Sequence, residues 1–380
     1  MNIRTGLVIA LAVGGAVGCK KKPEEAPPTA GSAEKPTEGS AGSGSAEAPK
    51  APLAGKELAA KYVECTNHLN AGKADDFKAN CITADFLAHP VDAVEVKGAD
   101  AVLAQFKEER AAFPDLKIAP QVIFVNGRTL LAVGLMTGTH EGAMKTPMGE
   151  IAATKKKIGM MFFHKLALND GNKATEEWWY GDPATMLGQI GKLPKEFGPV
   201  RPATDKGLDG APIVIVAADD AKEKANVEAI KKLNEAFNAH KPADQIAAFA
   251  DDAVQSDQAG PSDTKGKKAI EPGLKMFHTI FPDGKIAVEA VAVGDYVIQT
   301  GTFSGTHKGP LGKASQAKVE MAFAEVNELK DGKIVKMWRF RNALALAAKL
   351  GLMKPAGDKA GDKPADKPAD KKPEPAPTKE

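Results

Sequence analysis

The sequence predicts an α+β chain made of two tandem copies of one unit, each a set of helices packed on a curved antiparallel sheet. Three observations carry this. First, a repeat runs through the 380 residues: Phe113-Pro114-Asp115 recurs as Phe281-Pro282-Asp283, and the same offset relates Asn70-Ala71 to Asn238-Ala239 and Lys97-Gly98 to Lys265-Gly266. Second, within each copy the residues change from helical to strand periodicity at the Phe-Pro-Asp step. Third, the stretches 19–53 and 354–380 lack the apolar residues a core needs, so the foldable part is confined to the repeat.

The elements follow in order. Over 57–69, Leu58, Tyr62, Cys65 and Leu69 fall at helical spacing, and further helices are expected at 75–80 and 99–112. Four β-rich runs come next, 116–125, 129–139, 156–168 and 173–181, with hairpin signals at Asn126-Gly127 and Asp170-Gly171. The second copy gives 285–293, 295–306, 316–329 and 333–341, turning at Gly294-Asp295 and Asp331-Gly332. Short helices, 183–190 and 343–350, close the units. The units are placed at 54–192 and 212–353 with a linker at 193–211; the Ile-Val-Ile-Val run within 212–216 suits a short strand opening the second.

Charge is nearly balanced, 51 Lys+Arg against 49 Asp+Glu, which argues against a nucleic-acid partner. Three cysteines exclude a disulfide-dense scaffold and any four-cysteine metal site. Residues 1–18 read as a signal peptide: a basic start, then an apolar run of about a dozen residues, shorter than the roughly 20 a membrane span needs. Ala16-Val17-Gly18-Cys19 resembles the bacterial lipobox, with Ala at its first position instead of the usual Leu. That resemblance implies lipidation of Cys19 and a membrane anchor, and Lys20 after it implies the outer membrane, facing periplasm or cell surface. Residues 19–53 are expected to be a disordered tether, and 354–380, with its repeated Lys-Pro-Ala-Asp, a solvated tail.

The order Phe113-Pro-Asp, Gly138-Thr-His-Glu-Gly142, Trp178 with Asp182, then Gln189-Ile-Gly191 resembles the SnoaL-like polyketide (ester) cyclases of the NTF2-like superfamily. The second copy keeps Gly305-Thr-His307 and Trp338 but has Asn342 and Lys349 where the first has Asp182 and Gln189. The resemblance implies a cone-shaped fold, with cofactor-free acid/base chemistry in the cyclases, and a superfamily that also holds isomerases, dehydratases, hydrolases and non-catalytic binders. It also implies that single cones dimerise through their sheets, so the repeats are expected to pair within the chain as a pseudo-dimer. Carried over, Asp182 is the candidate acid/base and His140 the orienting or oxyanion-stabilising group. Asp182 also directly precedes Pro183 and a helix, which suits an N-cap, and His140 also suits a strand end.

Strand alternation assigns the ligand-binding candidates. Trp178, Tyr180 and Asp182 share one face of their strand, as do Trp338, Phe340 and Asn342; Gly134, Met136, Gly138 and His140 share a face of theirs, as do Gly301, Phe303, Gly305 and His307. His89 resembles the family's His-x-Pro at the pocket mouth, and its partner in the second copy is Asp257. His89, Trp178, Tyr180, Asp257, His307, Trp338 and Asn342 are therefore the expected pocket residues, around a small apolar ligand. His89, His140 and Asp182 formally make a two-His-one-carboxylate set, but no pair has ligand spacing, and the resemblance to the cyclases implies neither metal nor cofactor. Cys65 and Cys81 map onto Leu233 and Phe249, two apolar positions, and export to an oxidising compartment favours a disulfide between them. Two functions remain: an envelope lipoprotein that binds a small apolar molecule or a protein partner, or a cofactor-independent acid/base enzyme of cyclase, isomerase or hydrolase type with its active site in the first unit.

Overall fold

The computed structural model describes residues 52–146, 149–207, 210–309 and 315–352. The signal, Cys19 and most of the tether, with nearly all of the tail, lie outside the described residues. The first unit runs α1 (Gly55–Asn70), α2 (Ala74–Cys81), β1 (Ile82–Pro90), β2 (Val96–Lys97), α3 (Ala99–Ala112), β3 (Lys117–Asn126), β4 (Thr129–Thr139), β5 (Met144–Thr146), β6 (Gly149–Ile151), β7 (Lys157–Leu168), β8 (Ala174–Tyr180) and α4 (Pro183–Gln189). After β9 (Ile213–Val216), the second runs α5 (Ala221–Asn238), α6 (Pro242–Ala247), β10 (Phe249–Asp257), β11 (Thr264–Lys265), α7 (Lys267–Ile280), β12 (Lys285–Val293), β13 (Tyr296–Thr306), β14 (Lys318–Lys330), β15 (Lys333–Arg341) and α8 (Ala343–Lys349).

The sheets order as β2-β1-β8-β7-β4-β3-β9 and β11-β10-β15-β14-β13-β12. The antiparallel meander read from the sequence is present in both, but each sheet is mixed. β1 pairs parallel to β8, and β10 parallel to β15. β1 has no counterpart in the sequence reading because its register with β8 shifts between Ile82 and Leu87, which blurs the two-residue alternation. β9, grouped with the second unit on sequence, pairs instead with β3 of the first sheet.

The hairpins show why the sequence folds this way. In β14–β15, Lys330 pairs with Lys333, and Asp331 and Gly332 carry φ of 50° and 71°. Two consecutive positive φ values match the right-handed twist of the flanking strands, and Asp-Gly tolerates them. Helix α1 buries Leu58, Ala59, Tyr62 and Thr66 as one stripe against the sheet. Cys65 and Cys81 form a disulfide, Cα–Cα 5.7 Å, tying α1 to the end of α2; Leu233 replaces Cys65, and Phe249 replaces Cys81, in the second core.

The outer faces of the two sheets meet. Val91, Phe124, Leu131, Val133, Phe163 and Tyr180 of the first unit share one buried cluster with Val293, Ile298, Ala324, Val326 and Phe340 of the second. Both faces of each central strand are thus buried, one toward its own helices and one toward the other unit.

Candidate functional site

Between its helices and its sheet the first unit encloses a cavity of about 190 Å³. A cavity of roughly 150 Å³ holds one benzene ring, so this one suits a compound of one or two rings. Phe86, Phe106, Phe113, Met136, Met160 and Trp179 supply apolar wall. Among the polar residues of the wall are Tyr62 on α1, Glu109 on α3, His164 on β7 and Glu177 on β8.

Register explains why these residues look inward. Across antiparallel strands, directly paired residues point to the same side. Met136 pairs with Met160, Gly134 with Phe162, Ala132 with His164, and His164 with Trp179. That row is the concave face, and Glu177 lies two residues from Trp179 on the same side. A Cβ at Gly134 would stand 2.2 Å from the Phe162 ring, so glycine there lets Phe162 lie across the sheet. Phe162 stacks on Trp179 with centroids 4.1 Å apart, and Trp179 meets His164 edge-on at 5.3 Å.

The polar groups form a directed chain. His164 Nε2 lies 2.9 Å from Glu177 Oε2, and His164 Nδ1 lies 3.0 Å from the Tyr62 hydroxyl. A carboxylate at Nε2 fixes the proton there, so Nδ1 accepts and Tyr62 donates. Burial, then the negative charge of Glu177, pushes the Tyr62 phenol above its ordinary range, so the hydroxyl keeps its proton. The Glu109 carboxyl has no hydrogen-bond or ion-pair partner among the described residues. It lines the cavity, where burial desolvates the carboxyl, and with Glu177 nearby its pKa is pushed up to about 8.

The expected site residues lie elsewhere. Trp178 and Tyr180 do share a face, but it is the one turned toward the second unit, where both join the inter-unit cluster. Asp182 is on the same side and is 3% exposed. Its Oδ2 accepts from the Thr185 backbone N–H at 3.0 Å and the Thr185 hydroxyl at 2.7 Å, and its Oδ1 accepts from Ala343 N–H of the second unit at 2.9 Å. It is the N-cap of α4; burial raises its pKa despite those donors. His140 is fully buried beside Phe113, its Nδ1 accepting from the Thr154 N–H at 3.2 Å. Asp182 and His140 make no hydrogen bond to one another, and neither lines the cavity. His89 stacks on Trp178 at 5.0 Å between Glu95 and Glu176, with its ring outside the cavity wall.

The second unit repeats the structural members of this set. His307 accepts from the Ser315 N–H as His140 does from Thr154, and Asn342 caps α8 through Ala345 N–H. Trp338 joins the inter-unit cluster and lies under Lys336 as Trp178 lies under Lys165. Asp257 binds Arg341 through contacts of 3.1 and 3.0 Å; burial would raise its pKa, but Arg341 and Arg339 outweigh that and hold it low.

Sequence reasoning missed Tyr62, Glu109, His164, Glu177 and Trp179. The signal was present in the other parity of β8 and in the Phe162/His164 alternation of β7. Among the described residues there is no cluster of three metal-ligating side chains.

The SnoaL-like polyketide cyclase family matches residues 56–190 and 227–350. The chain belongs to that family. Each match spans one of the two units, so this member is a tandem pair of SnoaL-like, NTF2-like cones. Among solved structures it is similar to IdmH from Streptomyces antibioticus, at 23% identity and TM-score 0.30, covering 33% of this chain and 98% of that one. A phenazine biosynthesis-related protein from Pseudomonas aeruginosa is 19% identical, TM-score 0.33, over 38% of this chain and 92% of its own. TsrD from Streptomyces laurentii is 18% identical, TM-score 0.32, over 35% and 100%. No curated protein matches the chain. Family and fold support a ligand-binding or cyclase-type domain.

Proposed function

We propose that the first unit binds a small, largely apolar molecule in its cavity and moves a proton on it without a cofactor. Glu109 is the exchanging group, and Tyr62, positioned by His164 and Glu177, holds the polar atom of the substrate. The observation that carries this reading is Glu109: a partner-free carboxyl, facing an apolar cavity, whose pKa of about 8 lies close to neutral pH. General acid/base catalysis is most effective when the group titrates near the working pH. The second unit serves as its structural partner.

The experiment starts from full-length protein isolated from the cell envelope. Native mass spectrometry identifies the co-purifying small molecule, and incubation in heavy water reads deuterium uptake at its exchangeable carbon. Glu109→Gln is expected to retain the compound and lose exchange by about 100-fold or more. An unchanged exchange rate in that variant would refute the assignment. Retention without exchange in the parent supports the second reading, a binder that does not turn its ligand over, which fits the envelope address expected from the sequence. We further propose that lipid on Cys19 anchors the chain to the outer membrane, supported by the lipobox-like Ala16-Val17-Gly18-Cys19; mass analysis of the N-terminal peptide tests it.

A further inference from the structure

The identity of the ligand can be narrowed, on the reading that the cavity is a ligand site. We propose that the cavity takes a one- or two-ring compound bearing a basic nitrogen, with its N–H groups directed at Tyr62 and Glu109 and its ring against Trp179.

The hydrogen-bonding directions inside the cavity decide this. The Tyr62 hydroxyl spends its proton on His164 Nδ1, so its lone pairs are what remain for a ligand. His164 has both ring nitrogens engaged. Glu177 uses Oε2 on His164, and its Oε1 accepts from no described residue. Glu109 has two acceptor oxygens and no partner once ionised. Thr66 donates its hydroxyl to the Tyr62 carbonyl at 2.9 Å, and Lys61, the lining cation, is paired with Glu64 at 2.8 Å. Among the lining residues, the amides of Gln105 and Asn172 and the indole N–H of Trp179 are the donors left uncommitted. The cavity therefore offers mainly acceptors, with negative charge on Glu177 and on Glu109 once it ionises, and a ligand that fits it brings donors and positive charge.

Charge selection follows from the same inventory. A carboxylate or phosphate would enter beside Glu177 with no unpaired lining cation to meet it and would keep Glu109 from ionising, which is unfavourable at low dielectric. An ammonium or protonated heterocycle gains the opposite interaction. It also gains attraction from the faces of aromatic rings, and Trp179 and Phe106 stand in the wall.

The charge bookkeeping gives a second readout. The groups facing Glu109 are Tyr62 and Lys61 from α1, His164 from β7 and Glu177 from β8. With desolvation first and Glu177 second, they leave Glu109 protonated at pH 7 in the empty cavity. A bound ammonium reverses that balance, so Glu109 gives its proton to the buffer as the ligand enters as a cation. Near one proton is released per ligand bound.

The test titrates the full chain at pH 7 with three probes of matched shape: 2-phenylethylamine, 2-phenylethanol and phenylacetate. Calorimetry in buffers of different ionisation heat counts released protons, and tryptophan fluorescence reports the cavity. The amine is expected to bind at least tenfold tighter than the alcohol, with proton release, while phenylacetate gives no saturable signal. Glu109→Gln is expected to collapse the gap between amine and alcohol and to abolish proton release. The first two readouts use the unaltered protein, so a variant that fails to fold does not remove the test. Alcohol or phenylacetate binding as tightly as the amine overturns the basic-nitrogen class and leaves the cavity reading standing. Failure of all three probes to bind overturns this inference too, while the native mass spectrum judges the cavity reading independently.

Discussion

The two units share a scaffold and differ in what fills it. Both cap their last helix with the residue before it, Asp182 or Asn342, and both bury a histidine that accepts from a backbone N–H across the adjoining loop. Inside the cones the residues diverge. Through the matching strand registers, His164 corresponds to Glu325, Glu177 to Met337 and Trp179 to Arg339; the helical offset places Ile230 at Tyr62 and Phe277 at Glu109. In the second cone Arg339 donates to Glu325 at 2.6 Å, Gln299 donates to the same carboxylate at 2.7 Å, and Asn234 donates to Gln299 at 2.9 Å. Phe277 packs against Phe237, Phe281 and Phe303. What both copies keep belongs to the fold, and the polar set found in only one is the candidate for chemistry.

The largest expected effect that sharpens this contrast is the pH dependence of Glu109. Its folded pKa of about 8 lies above its unfolded value of 4.5. Below pH 4.5 both states hold the proton and the group is neutral in its effect. As pH rises from 4.5 to 8 the unfolded chain ionises first, so the fold loses stability, and the loss is complete above pH 8. Its size is several kcal/mol, and Glu109→Gln should remove it. Melting temperatures at pH 5 and pH 9 are expected to diverge for the parent more than for the variant; equal slopes would refute the buried-carboxyl reading.

Arg339→Met breaks the second cone in the opposite sense, leaving Glu325 buried without its cation. A cost of about 3 kcal/mol in denaturant unfolding is expected, with no change in ligand affinity. Reduction of Cys65–Cys81 reopens a short loop and should cost about 3 kcal/mol in the chain-entropy model. Because both cysteines line the cavity, ligand affinity should fall with it. The smallest effect is at the caps: Asp182→Ala and Asn342→Ala should each cost about 1–2 kcal/mol, and neither should alter ligand binding. A ligand affinity that drops only with Asp182→Ala would return the site to the face between the units.

The repeat, the helices, the four-strand meander and the cone architecture were legible because shared words and hairpin residues such as Asp331-Gly332 are local signals. The site was not, and β8 shows why. Its two faces carry Trp178 with Tyr180 and Glu177 with Trp179, and aromatic content alone favours the first. Neither face is solvated as in a one-sided sheet, because the outer one packs on the second unit. Alternation therefore gives the pairing of faces without saying which is concave; only the register with His164 and Phe162 does. Glu109 was hidden for a related reason: on a helix surface a Glu followed by Arg110 reads as solvated, while here Arg110 turns away to the carbonyls of Leu69 and Leu116.

β9 carries a consequence for how the chain can be cut. As a parallel partner of β3 it closes one rim of the first sheet, yet it lies beyond the last helix of that unit. A fragment ended at residue 192 would expose the N–H and C=O groups of β3, an invitation to edge-to-edge aggregation. One carried through Ala217, whose N–H still donates to the Val125 carbonyl at 2.9 Å, keeps that rim covered. The segment that joins the two cones is thus also a splint, and the first sheet ends some way past the boundary its repeat would suggest.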